Sequence, residues 1–375
     1  MCRLTASCAA FRAGRFLRLK NCGSGIWLSR GGSTLPNEVR VAVLGCGKQA
    51  PKHIKGLRSV PGVEIVLADV RPEFARNLAE KENLQWVSSL DEVFSDPGIQ
   101  AVDICTPTPS HPELILAAIR NGKDFFCEKP LSESSAIARE VAEATRKSRN
   151  IGMVGYVYRF APVFELGKQL FEDVPITGVS GPLGQVRLAH FRIGGRGSHQ
   201  LWKHRRSTGG GAANEMLVHM LDLAIWYFGP VRDAQLLEKK LIRPQREISG
   251  RVEDVDAEDY IMAELQMESG VTVVCQADLL TPAFTQFVEV QGDNGTFMGS
   301  IDREMPSFVY CNREADGWKQ GRTGLEFERT NLFETQMSAF IHAIQTRTSP
   351  TRCTLEDSVQ LLEVMEMLLG EPVGA

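Results

Sequence analysis

Residues 39–50 read VRVAVLGCGKQA, an apolar β-branched run that leads directly into a glycine turn. The turn has the G-x-G-x-x-A form of the dinucleotide-binding fingerprint. In this motif Gly45 permits a tight turn, Gly47 lets the backbone approach a pyrophosphate, and Ala50 keeps the following helix close to the strand. The helix N-terminus then offers free N–H groups to the phosphates. The sequence therefore predicts a nucleotide site, with a glycine turn that binds no ligand as the alternative.

The end of the next strand indicates which nucleotide is bound. Asp69 lies 22 residues beyond Gly47, where a carboxylate can accept hydrogen bonds from an adenosine ribose. Its negative charge repels a 2′-phosphate, so NAD is favoured over NADP. Arg71 follows two residues later and could pair with a 2′-phosphate, which leaves NADP possible.

The first part of the chain alternates strand and helix patterns. Strands are predicted at 39–44, 63–68, 85–87, 101–105, 124–127 and 151–155, with helices from 72 and over 91–94, 113–121 and 134–148. Alternation at this spacing favours a doubly wound parallel sheet that is covered on both faces. We therefore predict an α/β Rossmann domain.

The pattern changes after about residue 160. Helices are predicted at 163–171, 211–228, 331–347 and 355–369, and strands at 185–193, 234–242, 259–267, 271–277, 287–291 and 308–311. The later strands follow one another without helices between them, which indicates an α+β domain with a large, mostly antiparallel sheet. The predicted organisation is a basic extension at 1–37, an NAD(P)-binding Rossmann domain at 38–157, and a substrate and oligomerisation domain at 158–375.

Charge and composition exclude several classes of protein. Residues 38–375 carry 36 basic and 46 acidic side chains, which disfavours nucleic-acid binding. No stretch approaches the roughly 18 consecutive apolar residues that a membrane span needs. The nine cysteines include no CxxC pair, so we predict neither a disulfide framework nor a metal site.

The first 37 residues carry six basic side chains and no acidic one. An arginine-rich, serine-containing segment without acids is typical of a mitochondrial transit peptide. It also fits a disordered extension, or a start codon assigned too far upstream. We leave the segment out of the predicted fold and expect a cytoplasmic protein, with a mitochondrial one as the alternative.

Two further strands end in polar segments. The segment TPTPSH, from Thr106 to His111, follows one strand, and Glu128 and Lys129 follow the next. Ligands bind at the carboxyl ends of strands in open α/β sheets, so these four residues are candidates for the site. A buried lysine can have its pKa lowered enough to exchange protons. A structural pair of Lys129 with a carboxylate is the alternative, and His111 could instead start a helix.

Together these motifs resemble the Gfo/Idh/MocA oxidoreductases, a family named for glucose–fructose oxidoreductase and inositol dehydrogenase. The resemblance rests on the fingerprint, the TPTPSH segment, Gly122-Lys123, the E-K-P at 128–130, a G-x-x-x-R-F pattern at 155–160, and the triple glycine at 209–211 followed by Glu215, His219 and Asp222. It covers about residues 38–370. It implies NAD or NADP as the cofactor, a carbohydrate or cyclitol as the substrate, and a homodimer or homotetramer.

The resemblance also implies roles for individual residues. Lys129 would contact the reacting hydroxyl, and His219, on a helix of the second domain, would accept its proton. The family usually has aspartate where this chain has Glu215. This residue lies four residues before His219, on the same helical face, and is expected to support it in catalysis. Imidazole exchanges protons near neutral pH and an ammonium group stabilises an alkoxide, so the residue types suit this chemistry. A core histidine is the alternative for His219.

Four residues are candidates for substrate binding. Tyr158 and Arg159 lie at the crossing between domains, Trp202 lies in a basic loop before the triple glycine, and Asp222 follows His219 on its helix. An aromatic ring among basic groups suits a sugar pocket. Tyr158 and Arg159 could instead brace the hinge, and the loop could be a solvated surface.

We predict an NAD(P)-dependent oxidoreductase that transfers a hydride between nicotinamide and a secondary hydroxyl of a sugar, sugar derivative or cyclitol. An NAD-dependent glycoside hydrolase of the same fold is one alternative. A non-catalytic NAD-sensing or scaffold protein is another, although the presence of Lys129 and His219 disfavours it.

Overall fold

The computed structural model describes residues 16–19, 38–172, 181–197, 200–302 and 304–370. Within these ranges, no helix combines the length and the apolar character needed to cross a membrane. The proposed targeting role of residues 1–37 falls almost wholly outside the described residues, since only 16–19 of that segment are included.

A parallel sheet forms the centre of the first domain. Its strands are β2 (Val39–Leu44), β3 (Val63–Ala68), β4 (Gln85–Trp86), β5 (Ala101–Ile104), β6 (Asp124–Cys127) and β7 (Gly152–Val154), and β1 (Phe16–Leu19) precedes them in the chain. They lie in the order β4-β3-β2-β5-β6-β7, with every neighbouring pair parallel. The order reverses between β2 and β5, which is where ligands bind in sheets of this kind. The predicted Rossmann sheet is confirmed.

Helices cover the two faces of this sheet. They are α1 (Ala50–Arg58), α2 (Pro72–Glu82), α3 (Leu90–Ser95), α4 (His111–Arg120) and α5 (Ser135–Lys147). Local sequence sets several of their starts: Ser89 and Ser134 cap α3 and α5 through their side chains, and Pro72 occupies the first turn of α2.

The second domain is built around a larger sheet. Its elements are α6 (Pro162–Glu172), β8 (Val186–Gly194), a π-helical turn (Ala213–Leu217) that continues as α7 (Val218–Phe228), β9 (Val231–Lys240), β10 (Gln245–Ile248), β11 (Arg251–Asp254), β12 (Tyr260–Met267), β13 (Thr272–Asp278), β14 (Thr285–Gly292), β15 (Gly295–Ser300), β16 (Ser307–Cys311), β17 (Gly321–Phe327), α8 (Leu332–Thr346) and α9 (Leu355–Leu369). The sheet has the order β1-β17-β16-β15-β14-β8-β13-β12-β9. Among the described strands of this sheet, only the β8–β13 and β1–β17 pairs are parallel, so the mostly antiparallel sheet is confirmed.

The last two helices return to the first domain, whereas the sequence analysis assigned residues 158–375 to the second. Gly56 of α1 lies so close to α8 that a Cβ atom there would be 2.7 Å from the Phe333 carbonyl oxygen. On α5, the Ser135 amide donates to Glu366 of α9 over 2.7 Å. A hydrophobic period shows that a helix has a buried face, but it does not say which domain that face contacts.

Five strands were missing from the prediction. β10 and β11 form an exposed hairpin of mostly polar and charged residues, and β15 and β17 contain glycines that weaken a strand pattern. Residues of β1, which we had left out of the fold, pair with the edge strand β17. An edge strand offers unpaired N–H and C=O groups to any extended segment nearby, and the sequence of β1 alone does not reveal such a partner.

Candidate active site

The glycine turn after β2 has the shape that a pyrophosphate needs. Gly45 has φ = +90°, and a Cβ there would lie 2.9 Å from Cγ2 of Thr106. A Cβ at Gly47 would meet nothing within 4 Å, so the backbone faces open space. Helix α1 has no side-chain cap and no acidic residue in its first turn, which leaves N–H groups at its start available to an anion. These residues fit a dinucleotide.

Asp69 lies at the end of β3 and is hydrogen-bonded to the turn. Its Oδ2 accepts from the Cys46 amide over 2.8 Å, and its Oδ1 accepts from the Arg71 amide over 2.9 Å. Each oxygen keeps a lone pair for a further donor. The Arg71 guanidinium lies 3.8 Å from the centre of the Phe74 ring, and no ion pair joins it to Asp69 within the described ranges. Arg71 therefore does not neutralise the carboxylate at the end of the strand.

Lys129 follows β6 and reaches the second domain. Its Nζ donates to the carbonyl oxygen of Asn214 over 3.3 Å, and a cis peptide bond joins it to Pro130. Asn214 lies in the π-helical turn, where the Val218 amide bonds to Ala213, five residues earlier. Burial lowers the pKa of the Lys129 amine, although the charge of Glu215 opposes this. An ammonium group with a lowered pKa is suited to polarising a hydroxyl.

His219 is the second residue of α7 and lies directly after the π-helical turn. Its ring centre is 4.7 Å from that of Tyr158, in an edge-on arrangement. Burial and the charges of Lys129 and Lys203 hold the pKa of His219 well below its usual value. The imidazole is therefore neutral at physiological pH and can accept a proton. Tyr158, predicted to bind substrate, lies beside this histidine.

The triple glycine brings a second lysine into the same cluster. Gly210 packs so closely that a Cβ there would lie 2.5 Å from the carbonyl carbon of Lys203, and the Gly211 amide donates to the Lys203 oxygen over 3.0 Å. Lys203 Nζ then forms an ion pair with Glu215. The Glu215 carboxylate is thus paired with Lys203, and its support of His219 stays a prediction. Lys203 was not among the predicted site residues, although its position in the basic loop before the glycines was a usable signal.

Trp202 lies at the rim of this cluster. Its side chain is 46% exposed, and the Lys203 ammonium lies 5.1 Å from its ring centre. An exposed ring beside a cation is available to a ligand, so a role in substrate binding stays a prediction.

Arg159 and Asp222 do not line an accessible pocket. They are 1% and 2% exposed, and Nη2 of Arg159 donates to Oδ1 of Asp222 over 2.7 Å. Nη1 of Arg159 also pairs with Asp357 on α9 over 2.9 Å. Burial raises the pKa of Asp222 to about 6, and Arg159 opposes that rise. In place of direct substrate contact, the geometry favours the bracing role considered for Arg159.

His111 also has a different role from the predicted cofactor contact. The residue is 1% exposed and begins α4, and its ring nitrogens lie 2.8 Å from the carbonyl oxygens of Thr106 and Pro130. It therefore joins the two loops that follow β5 and β6. The Thr106 hydroxyl accepts from Ser110 of the same loop over 2.7 Å. Thr106 also packs against Gly45 of the nucleotide turn.

Glu128 belongs to a buried network that the sequence motifs did not reveal. Its Oε1 lies 2.8 Å from Nε2 of His53, whose Nδ1 lies 3.0 Å from Asp103. His53 is 50 residues from Asp103 and 75 from Glu128 in the chain, so no local spacing points to the cluster. Glu128 also accepts a hydrogen bond from the Gln49 side chain over 3.3 Å, so it contacts the nucleotide turn through Gln49.

Comparison with known proteins identifies the family. A family model described as an oxidoreductase family with an NAD-binding Rossmann fold matches residues 39–156, and one described as a GFO/IDH/MocA C-terminal domain matches residues 179–298. Myo-inositol 2-dehydrogenase of Thermotoga maritima is 26% identical over 71% of this chain and 76% of its own. The NAD⁺-dependent scyllo-inositol 2-dehydrogenase of Bacillus subtilis is 37% identical over 36% of this chain and 40% of its own.

Solved structures share the fold. Levoglucosan dehydrogenase in complex with NADH and levoglucosan superposes with a TM-score of 0.78 at 20% identity, covering 88% of this chain and 96% of that one. The superposition extends over both domains, so the pairing of the parallel sheet with the larger antiparallel sheet is the arrangement of that enzyme too.

Proposed function

Because the chain belongs to the Gfo/Idh/MocA family of NAD-binding oxidoreductases, we propose that it transfers a hydride between NAD and a secondary hydroxyl of a sugar, sugar derivative or cyclitol. The observation that carries the proposal is the contact of Lys129 with the π-helical turn, which brings an ammonium group within electrostatic reach of the neutral His219. Oxidation of an alcohol needs these two groups, one to stabilise the alkoxide and one to take the proton.

Each residue of the cluster has a distinct task in this reaction. The Lys129 ammonium donates a hydrogen bond to the substrate oxygen, and the His219 imidazole takes the hydroxyl proton. The Lys203 ammonium, which is held by its ion pair with Glu215, is a second positive charge near Lys129 and His219. This charge lowers the pKa of His219 and so helps to keep the imidazole neutral. NAD, when bound, supplies the hydride acceptor. In the reverse direction the imidazolium returns the proton.

Absorbance at 340 nm tests the proposal directly. The purified full chain is mixed with NAD⁺ and a panel of inositols, aldoses, anhydrosugars, sugar phosphates and nucleotide sugars. We expect NADH to form with at least one of them. Release of free sugar without net NADH would favour the glycoside hydrolase instead. NADH binding without turnover on any compound would favour the scaffold.

The carboxylate of Asp69 should set the choice between NAD and NADP. Asp69→Asn keeps the size and one acceptor oxygen but removes the charge that repels a 2′-phosphate. We expect the ratio of kcat/KM for NAD to that for NADP to fall by about tenfold, which corresponds to roughly 1.4 kcal/mol. Arg71→Leu is the matched control, because it removes the cation that would receive the phosphate and should move the ratio the other way. An unchanged ratio in Asp69→Asn would show that the ribose is bound elsewhere.

The pH profile should report the lowered pKa of His219. The imidazole must be neutral to take a proton, so kcat/KM for oxidation falls as pH drops through its pKa, well below the usual histidine range. Lys203→Met removes a positive charge and frees the Glu215 carboxylate. Both changes raise the pKa, so the acid limb should move to higher pH. Lys147→Met, which removes an exposed cation on α5, is the control and should leave the limb in place. A limb that does not move in Lys203→Met would contradict the assignment of His219 as the base.

We further propose that the protein forms a homodimer or homotetramer in the cytoplasm. The support is the outer face of the large sheet, where Tyr260, Met262 and Val274 are partly exposed and lie on neighbouring strands. Together with Glu264 and Gln276 opposite them, these side chains form a mixed apolar and polar surface of the kind found in interfaces between subunits. Light scattering of the purified chain measures the assembly, and a monomer at micromolar concentration would contradict it.

A further inference from the structure

His53 is fully buried beneath the nucleotide turn and is held between two carboxylates. Its Nδ1 lies 3.0 Å from both oxygens of Asp103, and its Nε2 lies 2.8 Å from Oε1 of Glu128. His53 and Asp103 are both 0% exposed. The reaction described above assigns no task to this cluster.

Hydrogen-bond chemistry indicates the charge state of the ring. Ionised carboxylates only accept hydrogen bonds, so each ring nitrogen must donate and the ring is an imidazolium. Burial lowers the pKa of His53, but the charge of Asp103 and the other interactions with its polar neighbours together outweigh burial, so the pKa is raised overall. Three titratable groups face the ring: Asp103 on β5, Cys105 directly after β5, and Glu128 directly after β6. Helix α8 contributes only the Phe333 ring, whose centre lies 5.5 Å from that of His53. The cluster of Asp103, His53 and Glu128 then carries one net negative charge.

Glu128 connects this cluster to both halves of the site. Its Oε2 accepts from the backbone amide of Lys129 over 3.1 Å, and its Oε1 accepts from the Gln49 side chain over 3.3 Å. Gln49 precedes α1 in the nucleotide turn, and His53 lies on α1 itself. The position of one carboxylate therefore depends on His53 and affects both the turn and the lysine.

We propose that His53 is a positioning residue, which holds the Glu128 carboxylate in place and thereby fixes Lys129 relative to the nucleotide turn. Without the imidazolium, Glu128 and Asp103 would be two buried carboxylates with no cation between them, and Glu128 would rotate or take up a proton. Lys129 would then lose the anchor of its backbone. The inference rests on the proposed function only for its effect on rate, because its effects on ring charge and nucleotide affinity are independent of turnover.

The test compares His53→Gln with a charge-restoring double variant. Glutamine keeps one donor but no charge, and we expect kcat for oxidation to fall by about 100-fold, as for a reacting group displaced by about 1 Å. We also expect NADH, titrated by fluorescence, to bind more weakly. The double variant His53→Gln/Asp103→Asn has the net charge of the wild-type cluster. It should recover thermal stability but neither kcat nor NADH affinity, because nothing clamps Glu128.

A spectroscopic measurement checks the charge state without any substrate. In protein labelled with ¹⁵N-histidine, both ring nitrogens of His53 should give imidazolium shifts at pH 7 to 8, with the signal assigned by its loss in His53→Gln. His190→Gln, at a half-exposed position on the large sheet, is the control and should change neither kcat nor NADH affinity. A neutral ring, or full recovery of kcat in the double variant, would overturn the proposal. One bound metal ion per purified chain would also overturn the proposal, because His53, Asp103 and Cys105 have donor atoms within 4.8 Å of one another and could bind it.

Discussion

We expect Lys129→Met to lower kcat/KM for alcohol oxidation by about 1,000-fold, because the ammonium group no longer stabilises the developing alkoxide. Methionine keeps much of the side-chain length and removes the charge. The loss of that charge also raises the pKa of His219, so the acid limb of the remaining activity should move to higher pH. Initial rates at 340 nm over a range of pH, with the substrate found in the panel, measure both effects.

His219→Gln should cause a loss of similar size, because the proton then has no acceptor. The double variant should lose little more than either single variant, since the two groups act on one hydroxyl. NADH titration provides the control for folding and should give wild-type affinity in both single variants. If Lys129→Met retained full activity, its ammonium group would not stabilise the alkoxide, and the contact of Lys129 with Asn214 would be structural.

The sequence predicted the elements whose pattern is local. β2 and β3 were predicted with the observed bounds because each is a continuous apolar run between turn signals. Helix α7 and its π-helical turn were predicted as one helix, because i→i+5 bonding has no clear sequence signature. The extra residue per turn leaves the Asn214 carbonyl available to Lys129, so this undetected irregularity is part of the site.

Long-range pairing accounts for most of what the sequence did not reveal. Arg159 and Asp222 were both singled out, but nothing in their local patterns shows that they face each other in the core, 63 residues apart. Residue type indicates what a side chain can do, whereas burial decides whether a ligand can reach it. A sequence motif contains reactive lysines and histidines and also residues that hold the surrounding structure in place. The two kinds of residue can be distinguished only when their solvent exposure is known.

The buried pair of Arg159 with Asp222 should matter for stability more than for binding. In Arg159→Met, Asp222 and Asp357 lose their cation, and we expect the free energy of unfolding to fall by about 3–5 kcal/mol. The folded-state pKa of Asp222, already raised to about 6, should rise further. A carboxyl group with a raised pKa stabilises the fold at low pH, where it is protonated, and this contribution is lost as pH rises through that pKa. The loss in Arg159→Met should therefore be larger at pH 8 than at pH 5.

Urea midpoints at the two pH values measure this difference, and two further variants identify its cause. Arg159→Met/Asp222→Asn removes the uncompensated charge and should recover much of the loss at pH 8. Arg352→Met is the matched control: this arginine is about one-third exposed and pairs with Glu165, so its removal should cost about 1 kcal/mol or less. If Arg159→Met kept the wild-type midpoint but raised the KM for the sugar, the bracing role would be wrong. Arg159 would then be a substrate contact, which requires the core around Asp222 to open when the ligand binds.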